Sequence, residues 1–180
     1  SRARLSQDGS MFLENEISFN GINDSTYREI FVKMTPEART KYFERIVRAV
    51  AIGAELVRCE VTPENMQDTE TPVRVMLSSR IPEAVLSGET CSELMVPFVS
   101  RVLGMANYVL NGNTSLEKRR YKLVLDSTAS VQETMEIELN GVLGEVKNLP
   151  EDEIIKGGFN YCRAYRCENG VLTAHRCSAI

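Results

Sequence analysis

Apolar and polar residues alternate along most of this 180-residue chain, and the alternation is cleanest in its C-terminal third. In VQETMEIEL, Met135, Ile137 and Leu139 fall on one side and Glu136 and Glu138 on the other, as in a strand buried on one face only. The neighbouring stretches EKRRYKLVL, GVLGEVKNLP and GGFNYCRAYRCENGVLTAHRC extend this into a run of antiparallel strands. Asn169-Gly170 divides the last stretch into a hairpin, because both central residues of its turn must take positive φ.

The N-terminal part opens with a similar hairpin, residues 3–7 and 10–20 around Asp8-Gly9. Met11, Leu13, Ile17 and Phe19 alternate there with Phe12, Glu14, Glu16 and Ser18. From residue 24 the period lengthens. Asp24 or Ser25 is placed to cap a short helix through Tyr27, Ile30 and Phe31. Thr35-Pro36-Glu37 then restarts a helix with an N-cap hydroxyl, a proline at the first helical position and an acid in the first turn. Tyr42, Phe43, Ile46, Val47 and Val50 form its apolar stripe, and Gly53 ends it.

Strand periodicity returns over residues 54–62, with Val57, Cys59 and Val61 expected inward. A polar link, 63–71, leads to a strand opened by Pro72, with Val73, Val75, Leu77 and Ile81 inward. Residues 82–90 read as a loop and 92–100 as a strand that Pro97 confines to an edge or a bulge. Asn111-Gly112-Asn113 marks a turn in the otherwise unreadable 101–114. About nine or ten strands with a helical insertion over about residues 24–52 predict a mainly β fold, an antiparallel β-sandwich. The chain reads as a single β-rich domain over 1–180.

Composition narrows the classes. A formal net charge of -4 and a pI near 5.2 give no electrostatic basis for nucleic-acid binding. The tightest basic group, Lys118-Arg119-Arg120, reads as a solvated strand start. No apolar run approaches the ~20 residues of a membrane helix. The chain starts at Ser1-Arg2 without a methionine, so a fragment of a longer protein is expected.

Candidate chemistry is sparse. The one histidine, His175, shares a strand face with Val171, Thr173 and Cys177, and no acid follows it to complete a Cys-His-acid arrangement. It reads as a surface or structural residue. An enzyme using Cys91, Cys162 or Cys177 with His175 is the least favoured reading. Five cysteines cannot all pair within one chain. Cys59 reads as a small core residue and Cys91 as the exposed thiol. A two-residue turn at Asn169-Gly170 places Cys162 opposite Cys177, with Cα atoms ~5.5 Å apart and within disulfide range. A one-residue bulge would destroy that register, and coincidence is the preferred reading. Glu151-Asp152-Glu153 form a solvated acidic loop, and the short glycine patterns Gly141-Val142-Leu143-Gly144 and Gly157-Gly158 are turns rather than phosphate cradles. No catalytic, cofactor-binding or metal-ligating residue is assigned, and no cofactor is expected.

The order of these pieces carries a family resemblance. ARLSQDGSMFLENEISFNG, YREIFVKMTPEARTKYFERIV, GAELVRCEV and TPVRVMLSSRI are followed by EKRRYKLVLDS, ETMEIELNG, EVKNLPEDEII and FNYCRAYRCENGVLTAHR. Together they resemble the β-sandwich domain that follows the transglutaminase-like core in large bacterial envelope proteins, often labelled cysteine proteases. Asp8-Gly9, Gly21, Pro36-Glu37-Ala38-Arg39, Arg120-Tyr121 and Leu149-Pro150 match the domain's phrases; residues 83–114 fit poorly. The resemblance implies an accessory domain in the periplasm or at the cell surface, partnered by an upstream transglutaminase-like domain of the same chain that holds the catalytic Cys, His and Asp. A protein or peptide substrate would be a further partner. The alternative is a free-standing ligand- or partner-binding sandwich.

Overall fold

The computed structural model describes residues 1–106, 128–156 and 158–180. The expected strand at 117–125, with its Lys118-Arg119-Arg120 and Arg120-Tyr121 phrases, the turn at 111–113 and the first glycine of Gly157-Gly158 lie outside the described residues.

Ten strands are described: β1 (Arg2–Leu5), β2 (Met11–Ser18), β3 (Glu55–Thr62), β4 (Arg74–Ile81), β5 (Val85–Ser87), β6 (Ser92–Leu94), β7 (Ser130–Glu138), β8 (Asp152–Lys156), β9 (Phe159–Glu168) and β10 (Val171–Ala179). Two α-helices, α1 (Ile22–Val32) and α2 (Pro36–Val50), fall between β2 and β3, close to the expected insertion. Eight strands form one sheet in the order β3-β4-β2-β1-β7-β10-β9-β8, and β5 pairs with β6 in a separate ribbon. The fold is mainly β, as expected. The all-antiparallel expectation is corrected, because β1 runs parallel to β7 through Arg2↔Glu136, Ala3↔Ile137 and Arg4↔Glu138. Two hairpin-built halves meet at this seam, and the strand on the N-terminal side has only four residues.

One face of the sheet is apolar. Ala3, Leu5, Met11, Leu13, Met135, Ile137, Leu172 and Ala174 form a continuous buried cluster on it, joined by Val47 and Ala51 at the C-terminal end of α2 and its cap. The N-terminal half adds a second cluster in which both helices lay rings onto β4: Phe31 and Phe43 are fully buried beside Val73, Val75 and Leu77. Phe19 stacks on Tyr27 at 4.1 Å, and Phe31 lies 5.7 Å from Phe43. Rings at these separations add attraction beyond their area burial.

Local chemistry sets the ends of the helices. Thr35 Oγ1 accepts from the Ala38 N–H at 3.3 Å, as the sequence predicts, with Pro36 in the first turn. Asp24 does not cap α1, whose N-cap is Gly21 at φ +56. The Asp24 carboxylate instead accepts from the Val73 N–H and from the Arg28 guanidinium. Arg28 also donates to the carbonyls of Met66, Asp68 and Thr71, which fastens α1 to the link before β4.

Other expectations change. The β3 register slips between Leu56 and Arg58, so Val57 is the extra residue of a bulge and points to solvent at 61% exposure; Leu56, Cys59 and Val61 take the inner side. The loop at 82–90 contains β5, and the strand at 92–100 shortens to β6 before Pro97 and the 3-10 turn Val99–Arg101. GVLGEVKNLP is not a strand. Positive φ at Asn140, Gly141 and Asn148 keeps it irregular, and the acidic Asp152 and Glu153 belong to β8.

Candidate functional site

Opposite the apolar face, the sheet carries no buried residue among its described positions. Arg2, Arg4, Glu14, Glu16, Arg58, Glu60, Arg80, Glu136, Glu138, Arg166 and Glu168 all project here and are exposed. Arg4 pairs with Glu138 at 3.2 Å, and Arg58 and Arg166 pair with Glu60 and Glu168 two residues along their own strands. Exposed pairs of this kind hold side chains apart in water and add little stability.

The distinctive feature of this face lies on the C-terminal hairpin. Asn169 at φ +50 and Gly170 at φ +76 make the tight turn, and pairing proceeds without a bulge from Glu168↔Val171 outward to Cys162↔Cys177. Those two cysteines are joined in a disulfide with Cα atoms 5.0 Å apart. The predicted register therefore holds, whereas the preference for coincidence is corrected: an unbulged hairpin leaves two facing cysteines within bonding reach.

His175 lies on the same face, two residues before Cys177, between Thr134 of β7 and Ala164 of β9. Its Nδ1 is 3.2 Å from Thr134 Oγ1. A ring nitrogen of His175 and the sulfurs of Cys162 and Cys177 all lie within 4.8 Å of one another, and all three residues are half-buried. Were the bridge reduced, two thiols and an imidazole would make a zinc-type ligand set. No metal-ligating residue was assigned from the sequence, and the structure brings these three side chains together as a group. Its signal was present in two separate observations, the Cys162–Cys177 register and the shared face of His175 and Cys177.

The other thiols stand apart. Cys91 is free and exposed beside the β5–β6 ribbon, which packs on the apolar side through Val85 and Leu94. Cys167 is free on the inner side of β9, where it pairs with Leu172. Cys59 is half-buried against the aromatic cluster, and burial pushes its thiol up to about 11. None of the three joins His175, which groups only with Cys162 and Cys177 among the described residues.

A separate cleft of about 360 Å³ lies between the start of α1 and the first residues of β7, lined in part by Glu16, Asn20, Asn23, Gln132 and Glu133. Glu133 is buried, and its carboxylate accepts from the N–H groups of Val99 and Ser100 at 3.3 and 2.8 Å. It ties the 3-10 turn to the sheet. This buried acid sits on the apolar side of β7, where the alternation pattern alone predicts a hydrophobic residue.

No helix among the described residues is long and apolar enough to cross a membrane. Compared with family models, with curated proteins and with solved structures, the chain finds no match.

Proposed function

We propose that this chain is a non-catalytic accessory or interaction domain of a transglutaminase-like envelope protein, packing on or shaping access to an upstream catalytic core. The observation that carries this reading is the charged sheet face, exposed among the described residues, a surface available to a neighbouring domain while the other face is occupied by helices and core. The bridged Cys162–Cys177 pair supports a periplasmic or cell-surface setting, since disulfides persist in oxidising compartments. The ordered phrases from Asp8-Gly9 to Leu149-Pro150 support the family. A sandwich belongs to the same proposal, and the β5–β6 ribbon laid over the apolar cluster supports a second layer.

The second reading, a free-standing binding module, is favoured by the cleft. Its two carboxylates, Glu16 and Glu133, together with Asn20 and Asn23, fit a small polar ligand that donates hydrogen bonds.

Sequencing the coding region upstream of Ser1 separates the two. The accessory reading expects an export signal and a domain with cysteine, histidine and aspartate in transglutaminase order. An unrelated upstream module would overturn it.

A further inference from the structure

We propose that Cys162, Cys177 and His175 form a redox-gated site for a thiophilic divalent cation, closed as a disulfide and open to Zn²⁺ when reduced. This goes beyond the accessory or binding role and does not depend on it. The chain has one histidine and five cysteines, and the hairpin register brings the histidine and two of the cysteines to one patch. The strands supply the patch with a rigid floor. Cys162 and Cys177 face each other across β9 and β10, and His175 occupies the next outward-facing position of β10.

The spacing suits the ion. Tetrahedral zinc with Zn–S bonds of about 2.3 Å holds its ligand atoms about 3.5–3.8 Å apart. The three side chains already lie within 4.8 Å of one another, so opening the sulfur–sulfur bond requires side-chain rotation rather than strand movement. Thr134 completes the arrangement. When its hydroxyl accepts from the Nδ1–H of His175, the neutral ring keeps a lone pair on Nε2, and the ring plane is fixed from outside the ligand set. Partial exposure of all three residues gives both a reductant and an ion access from solvent.

The redox step balances with a dithiol as the co-reactant. One thiolate of the dithiol attacks a sulfur of the Cys162–Cys177 bond, giving a mixed disulfide and releasing the other cysteine. The second thiol of the reductant then attacks the mixed disulfide, closing its own disulfide and freeing the second cysteine. Two electrons and two protons pass to the protein. Zn²⁺ binding returns two protons to solvent, because the ligands are thiolates and a neutral imidazole. The two thiolate charges cancel that of the ion, and water fills the fourth position. Reoxidation by an oxidised dithiol reverses the sequence and expels the metal.

The test uses Co²⁺ as a spectroscopic probe under anaerobic conditions. The purified chain is reduced, freed of reductant and titrated, and Zn²⁺ is then added in competition. One equivalent should give a thiolate-to-cobalt charge-transfer band and tetrahedral visible bands, both removed by Zn²⁺, while the unreduced chain gives neither. His175→Ala should weaken binding by about tenfold or more, since one of three protein ligands is lost. Cys162→Ser should cut the charge-transfer intensity to about half, because one thiolate remains where the site needs two. The triple variant Cys59→Ser, Cys91→Ser, Cys167→Ser should bind as the parent does. The proposal is overturned if the reduced, folded chain takes up no Co²⁺, if His175→Ala binds like the parent, or if the signal disappears in the triple variant. His175→Ala leaves the hairpin disulfide in place during folding, so it remains decisive should Cys162→Ser fail to fold.

Discussion

The two halves of the sheet are held together by different physics. β2, β3 and β4 lie under two amphipathic helices, and their shared core contains Phe31 and Phe43 at 0% exposure within a chain of touching rings. β8 and β9, at the opposite end, contribute no fully buried side chain among the described residues. Where β9 faces inward it presents Tyr161, Arg163, Tyr165 and Cys167, all half-buried. The Arg163 guanidinium lies 6.0 Å from the Tyr165 ring and that of Arg176 lies 5.8 Å from Tyr161. Contacts of this kind contribute about 0.5–1 kcal/mol at exposed sites, against about 1.5–3 kcal/mol for fully burying one large apolar side chain. The Cys162–Cys177 bond lies in the half with the smaller apolar return. Packing fastens the β2–β4 end, and a covalent link supplements the β9 edge, beyond the Met135, Ile137, Leu172 and Ala174 that β7 and β10 bury in the shared core.

The largest expected effect comes from breaking the packed half. Phe43→Ala should cost about 3–5 kcal/mol in urea unfolding, through lost burial and the cavity left among Phe31, Tyr42 and Val75. A loss under about 1 kcal/mol would mean that the ring cluster is not the mainstay of that half.

Removing the covalent link comes next. The bridge spans a sequence separation of 15, for which restricting the unfolded chain predicts about 3 kcal/mol. Reduction in the presence of a metal chelator should lower the unfolding free energy by an amount of that order. Adding Zn²⁺ in place of the chelator should restore part of it, because an ion bound only by the folded chain stabilises it.

The smallest effect concerns Cys59 in the packed half. Burial raises its pKa from 9.0 to about 11, so the folded chain holds this proton more tightly than the unfolded chain does. The corresponding stability is fully present below pH 9.0 and is lost as pH rises through about 11. Alkylation of Cys59 in the folded chain should therefore be slow at neutral pH and accelerate toward pH 11, whereas the same cysteine in the denatured chain should reach its limiting rate near its ordinary value. Equal pH profiles in the two states would contradict the burial.

The contrast between the halves also describes what was legible in the sequence. The strands β2, β4, β7, β9 and β10 were readable because a one-sided sheet imposes a period of two on residues such as Met135 and Ile137. Thr35-Pro36 announced α2 through capping chemistry that depends on neighbours alone. Features set by distant partners were hidden. The parallel β1–β7 seam joins residues 134 apart, Arg2 with Glu136, and nothing local encodes it. Val57 misled because a bulge shifts one residue without changing its type. Asp24 misled because a carboxylate near a helix start can serve a distant N–H and an arginine as readily as a cap. Glu133 was missed because the N–H groups that make its burial tolerable come from residues 34 and 33 positions away. At the candidate site, the Asn169-Gly170 turn fixed the cysteine register. The position of His175 beside Thr134 followed only once β7 was known to flank β10.

Hydrogen exchange measured by mass spectrometry, with and without reductant and with chelator present, tests the division most directly. Reduction should release protection across β9 and β10 while amides of α2, β2 and β4 remain protected, as expected for a half that opens as its own unit. Equal loss of protection in both halves, or no change in the hairpin, would contradict the account.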